Sequence, residues 1–208
     1  MIPKIKICGM KHNTLEVSKL LPDYLGFIFY SKPPRFYSEA VPEIPVAILK
    51  VGVFVDATME TILNHIDEFK LDIVQLHGSE NPSFCSELKN QTRRQNTELW
   101  KAFSVGELFD FNELTSFEPI VDKFLFDTKG KNKGGNGYTF NWELLKNYPS
   151  QKPFILSGGI GNGHIADIKN ILASGLPIHA IDINSKFEKE PGLKNITAIK
   201  KFQHELSR

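Results

Sequence analysis

The chain has 208 residues, 41% hydrophobic and 24% charged, an ordinary globular composition that predicts one domain over residues 1–208. The 25 Lys and Arg against 24 Asp and Glu leave a net charge of +1, which argues against a broad nucleic-acid-binding face, and no apolar run approaches the ~20 residues of a membrane span. The N-terminal segment lacks an apolar signal core, and the two cysteines, Cys8 and Cys85, make neither a disulfide framework nor a four-cysteine zinc site. The expected compartment is a reducing cytoplasm.

In chain order, short runs rich in β-branched and aromatic residues occupy positions 5–8, 24–30, 47–55, 73–77, 99–103, 123–127, 154–157 and 178–183. Each is too short for a helix and reads as a strand. Their spacing leaves room for one helix between neighbours. Apolar residues at helical spacing predict helices over 57–69, 80–91, 162–173 and 193–206. The segment 106–119 fits a helix, 3₁₀ turns or irregular chain. Apolar strands alternating with helices imply a parallel sheet covered on its faces. Eight units close as a (β/α)₈ barrel, an α/β TIM barrel. A doubly wound open sheet is the rival, but no Gly-rich nucleotide fingerprint follows the first strand.

In such a barrel the active site lies where strands end and the following loops begin. Those positions carry Cys8-Gly9, Asp56, His77-Gly78, Asp127-Thr128, Ser157-Gly158-Gly159 and Asp182-Ile-Asn184-Ser185. The loops after strands seven and eight are the usual phosphate site. Gly158 and Gly159 would let backbone N–H groups approach an anion. Glu190-Pro-Gly-Leu-Lys194 could begin a short helix facing the same anion. The plain alternative is that these glycines only make tight turns.

The residues at these strand ends resemble those of the phosphoribosylanthranilate isomerase family of tryptophan biosynthesis. The resemblance is carried by Lys6-Ile-Cys-Gly9, Gly26-Phe-Ile-Phe29 with Pro34-Arg35, and Val51-Gly-Val-Phe-Val-Asp56. It continues through Val74-Gln-Leu-His-Gly78, Phe126-Asp-Thr128 with Gly134-Gly-Asn-Gly137, and Phe140-Asn-Trp142. Ile155-Leu-Ser-Gly-Gly159, Asp182-Ile-Asn-Ser185 and Pro191-Gly-Leu-Lys194 complete it. It spans nearly the whole chain in a fixed order. It implies an Amadori rearrangement of N-(5-phosphoribosyl)anthranilate to 1-(2-carboxyphenylamino)-1-deoxyribulose 5-phosphate. No metal or redox cofactor is implied, and the partner is a small phosphosugar-anthranilate substrate rather than nucleic acid or membrane. A monomer is favoured over a homodimer.

By the same resemblance Cys8 matches the general base and Asp127 the general acid. A thiol of pKa ≈ 8.5 needs help to ionise, which helix N-termini or cations could give. An ordinary Asp is ionised at neutral pH and must be supplied with a proton. Arg35 matches the arginine that reads the anthranilate carboxylate through a guanidinium fork. From their place at the mouth, His77 and Asp182 read as substrate contacts or supports, His77 equally as a satisfied structural histidine, while by the resemblance Gly158, Gly159, Asn184 and Ser185 would hold the phosphate. Taken alone, Cys8 also reads as a small buried hydrophobe, Asp127 as a turn cap and Arg35 as a solvated loop residue. Asp56 reads as a cap for the next helix.

Two positions depart from the family pattern. Lys186 stands where glycine is common, and would bend the phosphate loop or add a cation. Asn141 stands where aspartate is common and keeps the capacity to cap a helix. Lys129, Lys131 and Lys133 among glycines read as a solvated loop or a closing lid. Two rivals are an isomerase for the histidine-pathway aminoaldose, with Asp in place of Cys8, and a non-catalytic phosphate-binding barrel.

Overall fold

All eight apolar runs form strands, with ends displaced by no more than two residues from those expected. They are β1 (Lys4–Cys8), β2 (Tyr24–Ile28), β3 (Leu49–Phe54), β4 (Ile73–Leu76), β5 (Glu98–Val105), β6 (Lys123–Thr128), β7 (Phe154–Leu156) and β8 (Ile178–Ile183). The computed structural model describes residues 3–32, 34–129 and 139–208. Every neighbouring pair is parallel, and β8 pairs with β1 to close the barrel. The open-sheet alternative is thereby excluded.

Alternation along the strands divides the core in two. Cys8, Tyr24, Val51, Val53, Ile73, Trp100, Ala102, Leu125, Ile155 and Ala180 pack together inside the barrel. Their sequence neighbours, including Ile7, Phe27, Phe54, Leu76, Phe124, Phe126 and Ile181, face the outer helices. Those helices are α1 (Thr14–Ser18), α2 (Met59–Phe69), α3 (Pro82–Thr92), α4 (Ile165–Leu172) and α5 (Ile196–Ser207). Side-chain caps set three starts: Thr58 accepts from the Thr61 N–H, Asn81 from Phe84 and Asn195 from Ala198. Each such cap contributes ~1 kcal/mol. Asp56 is therefore not the cap of α2; its carboxylate accepts from the Ser79 N–H instead.

Among the described residues no α-helix follows β2 or β6, and after β5 the chain takes one of the courses the sequence left open. After β2 the described chain carries Pro34, Pro42 and Pro45, which cannot donate within a helix, and it crosses to β3 without one. After β5 the uncertain segment forms a 3₁₀ turn, Phe111–Leu114, and after β6 the described residues form another, Trp142–Asn147. Asn141 caps the latter by accepting from the Glu143 N–H, as its type allows. A further correction concerns residues 190–194. They do not start a helix: β9 (Glu188–Glu190) and β10 (Leu193–Lys194) form an antiparallel hairpin, and α5 begins after it.

The strand N-terminal ends make a polar floor. Glu98 accepts from Trp100 Nε1 at 2.8 Å and Lys123 Nζ at 2.6 Å. The Tyr24 hydroxyl lies 2.7 Å from His179 Nε2. The opposite ends are left to the site.

Candidate active site

Strand alternation puts Lys6 and Cys8 on the same inward face of β1. The β1–β8 register sets Lys6 opposite Asp182, and Lys6 Nζ meets Asp182 Oδ2 at 2.9 Å with both side chains buried. Of the nearby charges, Lys6 acts most strongly on the Cys8 thiol. On the other side Gly26 of β2 stands in register with Cys8. A Cβ at Gly26 would lie 2.9 Å from the Cys8 sulfur, so glycine there makes room for the thiol.

Burial pushes the Cys8 thiol above its usual range; Lys6 opposes that rise, Asp182 adds to it and Lys194 also opposes it. The neighbouring cations therefore moderate the thiol's pKa without lowering it below normal. Burial likewise pushes the Asp182 carboxyl up against the pull of Lys6. Among the described residues Asp182 Oδ1 is buried without a hydrogen-bond partner. For Lys6 burial alone would favour the neutral amine, but Asp182 and Cys8 together hold it as an ammonium.

Across the mouth, Asp127 stands next to last in β6. Its Oδ1 accepts from the Thr128 N–H at 2.9 Å, and His77 Nε2 lies 3.2 Å from Oδ2. Gln75 Nε2 donates to His77 Nδ1 at 2.9 Å. That leaves Nε2 as the ring nitrogen that carries hydrogen toward Asp127. A buried ion pair lies beneath His77: Glu80 accepts from Lys101 Nζ at 2.9 Å and from the N–H groups of Asp56 and Gly78.

Arg35 is not a solvated loop residue. Its Nε lies 3.0 Å from both Glu188 carboxylate oxygens and its Nη2 lies 2.7 Å from one of them. Glu188 also accepts from Lys194 Nζ at 2.8 Å. Burial would raise the Glu188 carboxyl, but the bonds from Arg35 and Lys194 hold it below the usual range. Lys194 Nζ reaches Asn184 Oδ1 as well, at 2.8 Å. This corner is built by the β9–β10 hairpin that replaced the expected helix.

The phosphate-type loops follow β7 and β8. Gly158 has φ +94°, and a Cβ there would come within 2.5 Å of the Thr128 N. Only glycine fits that approach. Ser185 opens a 3₁₀ turn, Ser185–Phe187. Lys186 is exposed, with its stem over Gly161 and outside the pocket lining. Lys194, not Lys186, is the buried cation of this corner.

One pocket is lined by all nine residues singled out from the sequence: Cys8, Arg35, His77, Asp127, Gly158, Gly159, Asp182, Asn184 and Ser185. Ile28, Tyr30, Val53 and Val55 add an apolar wall. Cys85 sits buried in α3, away from this lining. Sequence reasoning missed Lys6 and Lys194 as functional side chains, together with Glu188, Glu80 and Lys101. For Lys6 the two-residue period was a usable signal; for the others only the tertiary fold shows the pairing. Lys129 follows β6, while Lys131, Lys133 and the glycines of the expected lid lie outside the described residues.

The chain matches the family described as N-(5′-phosphoribosyl)anthranilate (PRA) isomerase over residues 5–205. The N-(5′-phosphoribosyl)anthranilate isomerase of Parabacteroides distasonis is 39% identical over 206 residues, covering 95% of this chain and 90% of that one. The solved phosphoribosylanthranilate isomerase of Thermotoga maritima is 27% identical with a TM-score of 0.78, covering 99% and 98%. That enzyme is described elsewhere as dimeric, with monomers generated from it. A further solved isomerase, bound to reduced 1-(o-carboxyphenylamino)-1-deoxyribulose 5-phosphate, is 25% identical with a TM-score of 0.75, covering 99% and 98%. This chain belongs to the N-(5′-phosphoribosyl)anthranilate isomerase family.

Proposed function

We propose that the pocket isomerises N-(5′-phosphoribosyl)anthranilate by general acid-base catalysis, with Asp127 as acid and Cys8 as base. The carrying observation is that both line one pocket from β6 and β1, strands separated by β7 and β8 around the barrel. Opposed groups suit a reaction that needs a proton delivered at one atom and removed at another. Asp127 protonates the ribose ring oxygen. The C1′–O bond breaks, and the nitrogen lone pair forms a C1′=N iminium. Cys8, as thiolate, takes the C2′ proton, and the released electron pair forms C1′=C2′ and neutralises the nitrogen. The resulting enol then becomes the ketone, with a proton gained at C1′ and the 2′-hydroxyl proton lost. His77 stands beside Asp127 as its hydrogen-bond partner and the group through which it is reprotonated.

The remaining groups take the two ends of the substrate. The apolar wall of Ile28, Tyr30, Val53 and Val55 takes the anthranilate ring. Arg35 binds its carboxylate through Nη1, because Glu188 occupies the Nε and Nη2 edge. Gly158, Gly159, Asn184 and Ser185 hold the phosphate, and the unpartnered Asp182 oxygen accepts from a sugar hydroxyl. The chain works as one barrel domain over residues 1–208, in the cytoplasm, and as a monomer. The monomer reading draws on the exposed large apolar side chains among the described residues, Leu15, Leu21, Val46 and Leu108, which are spread over three separate connections. Single exposed apolar residues do not by themselves make an interface.

Turnover tests the reading directly. Purified protein should convert authentic phosphoribosylanthranilate to the aminoketose. A correctly folded protein that leaves the substrate unchanged overturns it. Light scattering during size exclusion distinguishes monomer from dimer.

A further inference from the structure

A base must be a thiolate, yet Cys8 is buried and its thiol is held above the usual range. Two residues earlier, β1 carries a lysine with no access to solvent. Lys6 does not line the pocket, so it lies behind the reacting groups. A buried ammonium is costly unless it is compensated. Lys6 is compensated on one side by Asp182, 2.9 Å away, and it shares the inward face of β1 with Cys8, two residues on.

We infer that Lys6 is a positioning residue acting through Cys8: its ammonium, anchored by Asp182, is the counter-ion that allows the Cys8 thiolate to form inside the barrel. This rests on the reading of Cys8 as the base. One ammonium faces two acids, so ionisation of Cys8 places a second negative charge beside a cation that is already fixed. No cation has to be brought in from water. The charged groups acting on Cys8 are Lys6 on its own strand, Asp182 on β8 and Lys194 on β10. Gly26 on β2 contributes none. Lys194 is bound to Glu188 and Asn184, and burial lowers its pKa despite that pairing. Lys6 is therefore the stronger support for a thiolate.

The test is the pH dependence of Cys8 alkylation by iodoacetamide, in a Cys85→Ala background so that a single thiol reports. Lys6→Met leaves Asp182 buried without its cation, so it is also made in an Asp182→Asn protein and compared with Asp182→Asn alone. Removal of Lys6 should move the Cys8 titration up by roughly 1–3 pH units, the usual effect of losing a close opposite charge. At neutral pH kcat should fall about tenfold per unit of that shift and be regained as pH rises, with KM changed far less. Lys6→Arg should keep most of the activity. Unmoved titration in Lys6→Met/Asp182→Asn relative to Asp182→Asn overturns the inference. So does a loss of kcat that alkaline pH does not restore. If the titration moves while the unsubstituted protein has no turnover, the counter-ion role stands and the assigned reaction fails.

Discussion

In the proposed reaction Cys8 and Asp127 do opposite things, one accepting a proton and the other delivering one, and each is placed near the end of its own strand. Cys8→Ala and Asp127→Ala should each lower kcat by roughly 10²–10⁴-fold, the usual size of an acid-base contribution. Circular dichroism of both variants should match the unsubstituted protein, and full activity in either variant removes that residue from its role. Arg35 poses a different problem, because its fork is already engaged by Glu188. A lysine has no second planar edge to offer a substrate carboxylate. Arg35→Lys should therefore raise KM by about 10- to 100-fold, the loss of a charged hydrogen bond, with a smaller effect on kcat. An unchanged KM would show that the carboxylate is bound elsewhere.

At the scale of elements, the loops after β3 and β4 are joined by Glu80, whose carboxylate binds two backbone N–H groups and Lys101 of β5. The pair is almost wholly buried, at 4% and 3% side-chain exposure. Lys101→Met should cost ~3–5 kcal/mol in urea unfolding, because it leaves a buried charge alone, and Glu80→Gln/Lys101→Met should cost less. Equal losses in the two would mean that packing, not charge, holds these loops. Gly158→Ala should weaken phosphate-group binding, read as inhibition by inorganic phosphate, since its Cβ would strike Thr128. The strands were legible because apolar runs of the right length and β-branched content have few other fates. Eight of the nine pocket residues were legible because they stand at or just after the C-terminal end of a strand, whereas Arg35 was legible only through the family resemblance. The missing helix after β2 and the β9–β10 hairpin were less so. Prolines argue against a helix without saying what replaces it, and the hairpin depends on Glu188 meeting Arg35 and Lys194, contacts between distant segments.

For the whole molecule, the polar floor sets the response to acid. Burial is the main cause that lowers His179 to about 4, with Lys123 and Lys4 adding to it and Glu98 and Asp23 opposing it; the Tyr24 hydroxyl completes its surroundings. An unfolded histidine takes up a proton near pH 6.5, whereas the folded chain does so only near pH 4. Above about pH 6.5 the group has no effect on stability; as pH falls from about 6.5 to 4 the unfolded state binds the extra proton and stability is lost. His179→Gln should therefore flatten the fall in melting temperature over that range. A slope the same as that of the unsubstituted protein would assign the acid sensitivity to other groups.

The Lys6–Asp182 bridge joins residues 176 positions apart, across the seam where the last strand meets the first. Contacts of that separation are slow to form, and this one cannot form until β8 has been synthesised. A nascent chain that has passed Asp127 already holds both side chains of the proposed acid-base pair, yet it has no Asp182 for Lys6, no Glu188 to hold Arg35 and none of the loops after β7 and β8. Turnover would then appear only once β8 and the β9–β10 hairpin are in place. An incomplete or prematurely terminated chain would carry both side chains without a working pocket, and the rate at which turnover appears during refolding would report closure of the barrel itself.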